Sequence, residues 1–95
     1  YFDELTGQPN RRLLMDRLAQ GIELSARTGR PLSLLYFDLD RFKLINDTLG
    51  HSVGDQVLKT IAVRVSDVLR AADTLARMGG DEFSVLLPEI SFDNA

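Results

Sequence analysis

The segment Met78-Gly79-Gly80-Asp81-Glu82-Phe83 constrains this chain more than any other. Two adjacent glycines permit a tight backbone reversal and a close approach by a ligand, because neither carries a Cβ. Thr74-Leu75-Ala76-Arg77-Met78 before them can be extended, and Phe83, Val85, Leu86 and Leu87 after them are apolar. The spacing predicts a strand, a Gly79-Gly80 turn and a second strand, with Asp81 and Glu82 displayed at the tip. An acidic tip of this kind is either an ordinary solvated turn or a place where carboxylates hold a cation and, through it, phosphates.

Upstream, the elements alternate. Asn10 is positioned to cap a helix over about Arg11–Thr28, with Leu14, Leu18 and Ile22 on one stripe and Met15 alongside. Gly29 suits a left-handed helix end and Pro31 prevents resumption. Leu32-Ser33-Leu34-Leu35-Tyr36-Phe37 is apolar on both faces, which reads as a central strand. A short helix should follow through Phe42, Ile45 and Leu49 and close at Gly50. The loop His51-Ser52-Val53-Gly54 then leads to a helix over about Gly54–Leu69 whose buried stripe is Leu58, Ile61, Val65 and Val68. The fold class is therefore α/β, a central sheet with flanking helices and a terminal β-hairpin.

At 95 residues the chain is one small domain, and 44% hydrophobic with 26% charged residues is an ordinary globular composition that favours neither disorder nor a membrane span. The net charge of −3 offers no basic footprint for nucleic acid. Without cysteine there is neither a disulfide frame nor a thiolate metal site. No signal peptide or membrane span is visible. The chain begins without Met, and Ser91 resembles a helix N-cap with no helix after it, so a fragment of a longer protein is expected.

Several side chains can carry chemistry. Asp38 and Asp40 end the apolar strand, two apart and so on one face. A carboxylate buried there needs a cation or hydrogen bonds; the alternative is that one of them, Asp40 above all, caps the next helix. Ligands of open α/β sheets gather beyond the carboxyl ends of strands. Arg41 and Lys43 fall in the first turn of the next helix, where free N–H groups attract anions; a solvated helix face explains them equally. Asn46 and Asp55 together can read a purine edge, since the carboxylate accepts from N–H groups and the amide does both. Capping is the competing role. His51, the sole histidine, more often orders a loop than binds metal when no second His or Cys lies near. Arg70 and Asp73 can form a weak local pair or grip an external ligand through the flat guanidinium fork.

In this order the motifs resemble the GGDEF family, the diguanylate cyclases. Asp3-Glu4-Leu5-Thr6-Gly7-Gln8-Pro9-Asn10-Arg11-Arg12 is similar to the family's lead-in, with Gln8 where Leu is usual. Phe37-Asp38-Leu39-Asp40-Arg41-Phe42-Lys43-Leu44-Ile45-Asn46-Asp47, Gly50-His51-Ser52-Val53-Gly54-Asp55 and Arg77-Met78-Gly79-Gly80-Asp81-Glu82-Phe83 match the later blocks. The resemblance implies a partial nucleotidyl cyclase-like fold in which two protomers, as a homodimer, condense two GTP into cyclic di-GMP and release pyrophosphate. It further implies that Asp38, Asp81 and the Leu39 carbonyl hold magnesium or manganese, with Glu82 close by, and that Asp81 is the base. Asn46 and Asp55 would contact guanine, His51 would line that pocket, and Lys43 and the backbone near Phe42 would meet phosphates. Arg70 and Asp73 match the family's inhibitory site for the product.

Two further roles stay open for such a chain. One is a non-catalytic GTP-binding module that controls an attached output domain such as a phosphodiesterase. The other is a cyclic di-GMP receptor acting through Arg70 and Asp73. The resemblance implies a cytoplasmic location for the domain, in a parent whose membrane attachment is open. Family domains run longer, so residues 1–95 are expected to be the N-terminal portion of a GGDEF domain. The isolated 95-residue piece is accordingly expected to turn over GTP poorly; parent-like rates from it in a magnesium-containing assay would overturn this.

Overall fold

The computed structural model describes residues 1–88, so the expected cap at Ser91 lies outside the described residues. The elements run α1 (Arg11–Thr28), β1 (Leu32–Asp38), α2 (Phe42–Leu49), α3 (His51–Val68), β2 (Thr74–Gly79) and β3 (Glu82–Pro88). The three strands form one antiparallel sheet in the order β1-β3-β2.

The helix boundaries follow local chemistry. Asn10 accepts the Leu13 N–H at 3.0 Å and opens α1. Gly29, at φ 72°, closes α1 by donating its N–H to the Ser25 carbonyl at 2.8 Å. Between α2 and α3 the expected loop is absent. Gly50 alone, at φ 92°, turns the chain, and His51 through Val53 already belong to the first turn of α3. A positive φ open to glycine makes so short a joint possible. Arg41 is the N-cap of α2 in a left-handed conformation, φ 60°, with no side-chain cap, so Asp40 does not play the expected capping role.

The sheet is sandwiched. Leu58 and Ala62 of α3 meet Leu75, Phe83 and Val85 on one face, joined by Phe37, Leu39 and Phe42. On the other face Leu14 of α1 meets Ala76 and Leu86, with Leu18 and Leu32 alongside. Alternation along the strands accounts for this division, since odd and even positions of β3 point to opposite faces.

Three stripes are corrected at their ends. Ile22 is 55% exposed and Val68 81% exposed. At 3.6 residues per turn each lies about 80° around its helix from the buried Leu14 or Leu58. Gly21 takes the inward position on α1 and adjoins Leu32, and Leu69 takes it after α3. Leu49, expected on the α2 stripe, is also exposed.

A larger correction concerns the sheet. The both-faces-apolar reading assigned the centre to β1, yet among the described residues β1 is an edge, with Leu34, Leu35 and Tyr36 exposed. The central strand is β3, buried on both faces from Phe83 to Leu86. The apolar run suits packing on both faces, and among the described residues nothing covers Leu34, Leu35 and Tyr36. Phe37 and Phe83 are register partners, and their rings stack with centroids 5.5 Å apart. With Phe83 fully enclosed, Phe83→Ala is expected to cost about 3–5 kcal/mol, read as a lowered midpoint in chemical denaturation.

Candidate functional site

The expected hairpin is present. Gly79 pairs with Glu82, leaving Gly80 and Asp81 as the tip, and an irregularity in register falls between Arg77 and Gly79. Gly79 and Gly80 both take positive φ, 151° and 52°, so side chains at either position would be strained.

Arg77 holds this tip, a role that reading by motif alone missed. Its guanidinium donates to the Gly80 carbonyl at 3.0 and 2.9 Å and to both oxygens of Asp3 at 3.1 and 3.2 Å. Its backbone N–H donates to the Pro9 carbonyl at 3.0 Å. Asp3 in turn accepts from the Thr6 N–H at 2.8 Å and hydroxyl at 2.9 Å. Burial pushes the Asp3 carboxyl upward, but hydrogen bonds from Thr6 and Arg77 outweigh it and hold the group below its ordinary 3.8. The lead-in before α1 is thereby stapled to the Gly-Gly turn. The signal was available in part, because Asp three residues before Thr is a local turn pattern, but its partner lies 74 residues away.

The acids come from two elements that meet. Antiparallel pairing sets Asp38 opposite Glu82, and the Leu39 N–H donates to the Asp81 carbonyl at 3.3 Å. Register partners share a face, so Asp38 and Glu82 emerge together beside the tip. Asp38 is exposed, which corrects the expectation of a buried carboxylate in need of compensation. Among the described residues no three acidic or histidine side chains stand close enough to form a ready metal cage. The hydrogen bond to Glu82 raises the Tyr36 hydroxyl above its ordinary value, with the Glu82, Asp38 and Asp81 charges adding to the shift. Three carboxylates thus place a negative field at one end of the sheet.

The other expected residues lie across the α2–α3 joint. Phe42 and Lys43 occupy the first turn of α2; Phe42 packs into the core and Lys43 is exposed. Asn46 sits on α2, its Oδ1 enclosed and without a hydrogen-bond partner among the described residues. His51 and Asp55 are exposed near the start of α3. Neither Asn46 nor Asp55 serves as a helix cap.

Arg70 and Asp73 are locally paired. The guanidinium meets Asp73 at 2.7 Å, the Arg70 N–H donates to the same carboxylate at 2.8 Å, and the guanidinium also reaches the Pro88 carbonyl at 2.7 Å. The hydrogen bond from Arg70 lowers the Asp73 carboxyl. A cleft of about 320 Å³ adjoins the pair, with Arg17 and Ser66 on its wall.

Residues 1–95 match the family described as "Diguanylate cyclase, GGDEF domain". The chain belongs to the GGDEF domain family. It is 50% identical over 91 residues to diguanylate cyclase DgcP of Pseudomonas aeruginosa, spanning 96% of this chain and 14% of that protein. The structure of the GGDEF domain of TpbB from the same organism superposes with a TM-score of 0.94 at 44% identity, covering 99% of this chain and 55% of that one. The GGDEF domain of DgcB from Caulobacter crescentus, solved with cyclic di-GMP, gives 0.91 at 33% identity over 98% of this chain and 53% of that one. The described GGDEF fold is thus about half of these domain structures. Among the described residues no helix is long and apolar enough to cross a membrane.

The Asp3 staple carries a pH signature. Its folded-state pKa is depressed, so its contribution to stability is complete above the ordinary value of 3.8 and is lost as pH falls through the lower folded value. Denaturation midpoints measured from pH 6 downward are expected to fall more steeply in the parent chain than in Asp3→Asn, with the two curves converging at the acid end.

Proposed function

We propose that this GGDEF domain is the catalytic half-site of a diguanylate cyclase, one protomer presenting one GTP. The observation that carries the reading is the junction of β1 with the hairpin, where Asp38 lies opposite Glu82 and Leu39 is bonded to Asp81. Two carboxylates and a backbone carbonyl are hard oxygen donors of the kind that magnesium or manganese takes. Asp38, Asp81 and the Leu39 carbonyl would hold such an ion, with Glu82 beside them. When bound, the ion neutralises phosphate charge and favours in-line attack.

The protein groups divide the remaining work. The uncapped N-terminus of α2 near Phe42, with Lys43, receives the phosphates. Asn46 and Asp55 read the guanine edge, and His51 lines that pocket. The 3′-hydroxyl of one GTP then attacks the α-phosphorus of the other. A new P–O bond forms, the α–β anhydride bond breaks and pyrophosphate leaves; Asp81 accepts the hydroxyl proton. The second ester forms in the same way with the roles exchanged. Because each protomer brings one substrate, a homodimer supplies the proximity that a monomer lacks.

Feedback would act through Arg70 and Asp73. Cyclic di-GMP would compete with Asp73 and the Pro88 carbonyl for the Arg70 fork, and any product-stabilised arrangement that opposes dimer closure must itself be opposed by GTP. Residues 1–95 would form the N-terminal part of the domain, with further strands completing the sheet along the exposed edge of β1.

In the full-length protein with GTP and magnesium, Asp81→Ala is expected to lower cyclic di-GMP synthesis by at least about a hundredfold, followed by chromatography. The parent rate per protomer should rise with protein concentration. Unchanged synthesis by Asp81→Ala would remove the catalytic assignment.

A further inference from the structure

Gly54 lies in the first turn of α3 and is buried. Its backbone is not in a positive-φ conformation, so turn geometry does not explain a glycine here, and glycine weakens a helix relative to alanine. What surrounds it does. A Cβ at this position would overlap Asn46 Oδ1, lie 2.9 Å from Asn46 Cγ and come within 3.3 Å of Phe42 Cζ. The Asn46 amide therefore occupies the space that a methyl group at residue 54 would fill.

The same amide carries the enclosed Oδ1 that lacks a hydrogen-bond partner among the described residues. An unpaired enclosed polar atom lowers stability, so the arrangement is costly for the free fold, and a hydrophobic side chain would pack α2 on α3 more favourably. The next residue after Gly54 is Asp55, which presents its carboxylate from the same turn. One turn of α3 thus seats the amide and supplies the acid.

We propose that Gly54 is a specificity-positioning residue: the absence of its Cβ forms the seat that orients the Asn46 amide beside Asp55, and this orientation makes the domain select guanine over adenine. The inference rests on the reading of Asn46 and Asp55 as guanine contacts. Gly54 itself touches no substrate. Because the clashing atoms belong to the end of a flexible side chain, a methyl group at residue 54 displaces the amide before it displaces the helix.

The test measures equilibrium binding of GTP and ATP to the full-length protein with magnesium, for the parent, Gly54→Ala, Asn46→Ala and the double variant, alongside thermal melting. Gly54→Ala is expected to weaken GTP about tenfold or more, the scale of one lost hydrogen bond to an enclosed group, and to leave ATP affinity unchanged. In the Asn46→Ala background the same substitution should add nothing, because the group it displaces is gone. A GTP-to-ATP ratio unchanged by Gly54→Ala, or losses that add fully, overturns the positioning role while a deficit in Asn46→Ala keeps the guanine site. Undiminished GTP affinity in Asn46→Ala overturns the guanine site and the proposal with it. If Gly54→Ala fails to fold, the double variant decides the contact: folding of the double variant upholds the seat, and failure of both overturns it.

Discussion

The pairing of β3 with strands on both sides organises the structure. Through β2 it forms the hairpin that exposes Asp81, and through β1 it brings Asp38 and Leu39 to that hairpin. Phe83 secures both ladders at once, stacked on Phe37 and enclosed between the sheet and α3. A slip of one residue between β1 and β3 would send Phe83 to the opposite face and part Asp38 from Glu82. Core packing and the position of the acids are thus one constraint. The energy that keeps Phe83 buried also keeps the carboxylates together.

Electrostatics at the tip depend on that register. Asp38, Asp81 and Glu82 gather negative charge beside Tyr36, whose hydroxyl is held above its ordinary value first by the hydrogen bond to Glu82 and further by these charges. Arg77 lies on the hairpin yet spends its donors on Gly80 and Asp3. It shapes the turn without entering the acid group, and links the turn to the lead-in ahead of α1. Asp38 is exposed while Asp81 and Glu82 are half-buried, so water reaches the group and lowers the cost of holding like charges near one another.

Much of this was legible along the chain. The Asn10 cap, the Gly29 stop and the Gly-Gly hairpin each depend on bonds within a few residues, so residue type and spacing suffice to find them. The acids that meet were also named in advance, because Asp38 ends a strand and Asp81 begins the return of a hairpin. The errors share a different cause. The exposure of β1, the outward turn of Ile22 and Val68 and the enclosed Oδ1 of Asn46 depend on which surfaces come to lie against them. Arg77 is a strand residue whose bracing role depends on Asp3, at the opposite end of the described chain.

The sequence by itself determined an α/β chain with a glycine hairpin, acids at a strand end and the four ordered motifs of the GGDEF family, because these are properties of local conformation and of residue order. Tertiary structure alone decided that β3 is central among the described strands, that Arg77 braces the hairpin against Asp3, and that Gly54 makes room for Asn46. Each of these is a contact between segments whose separation along the chain says nothing of their distance in space. Only the packed sheet and its helices bring them within reach of one another.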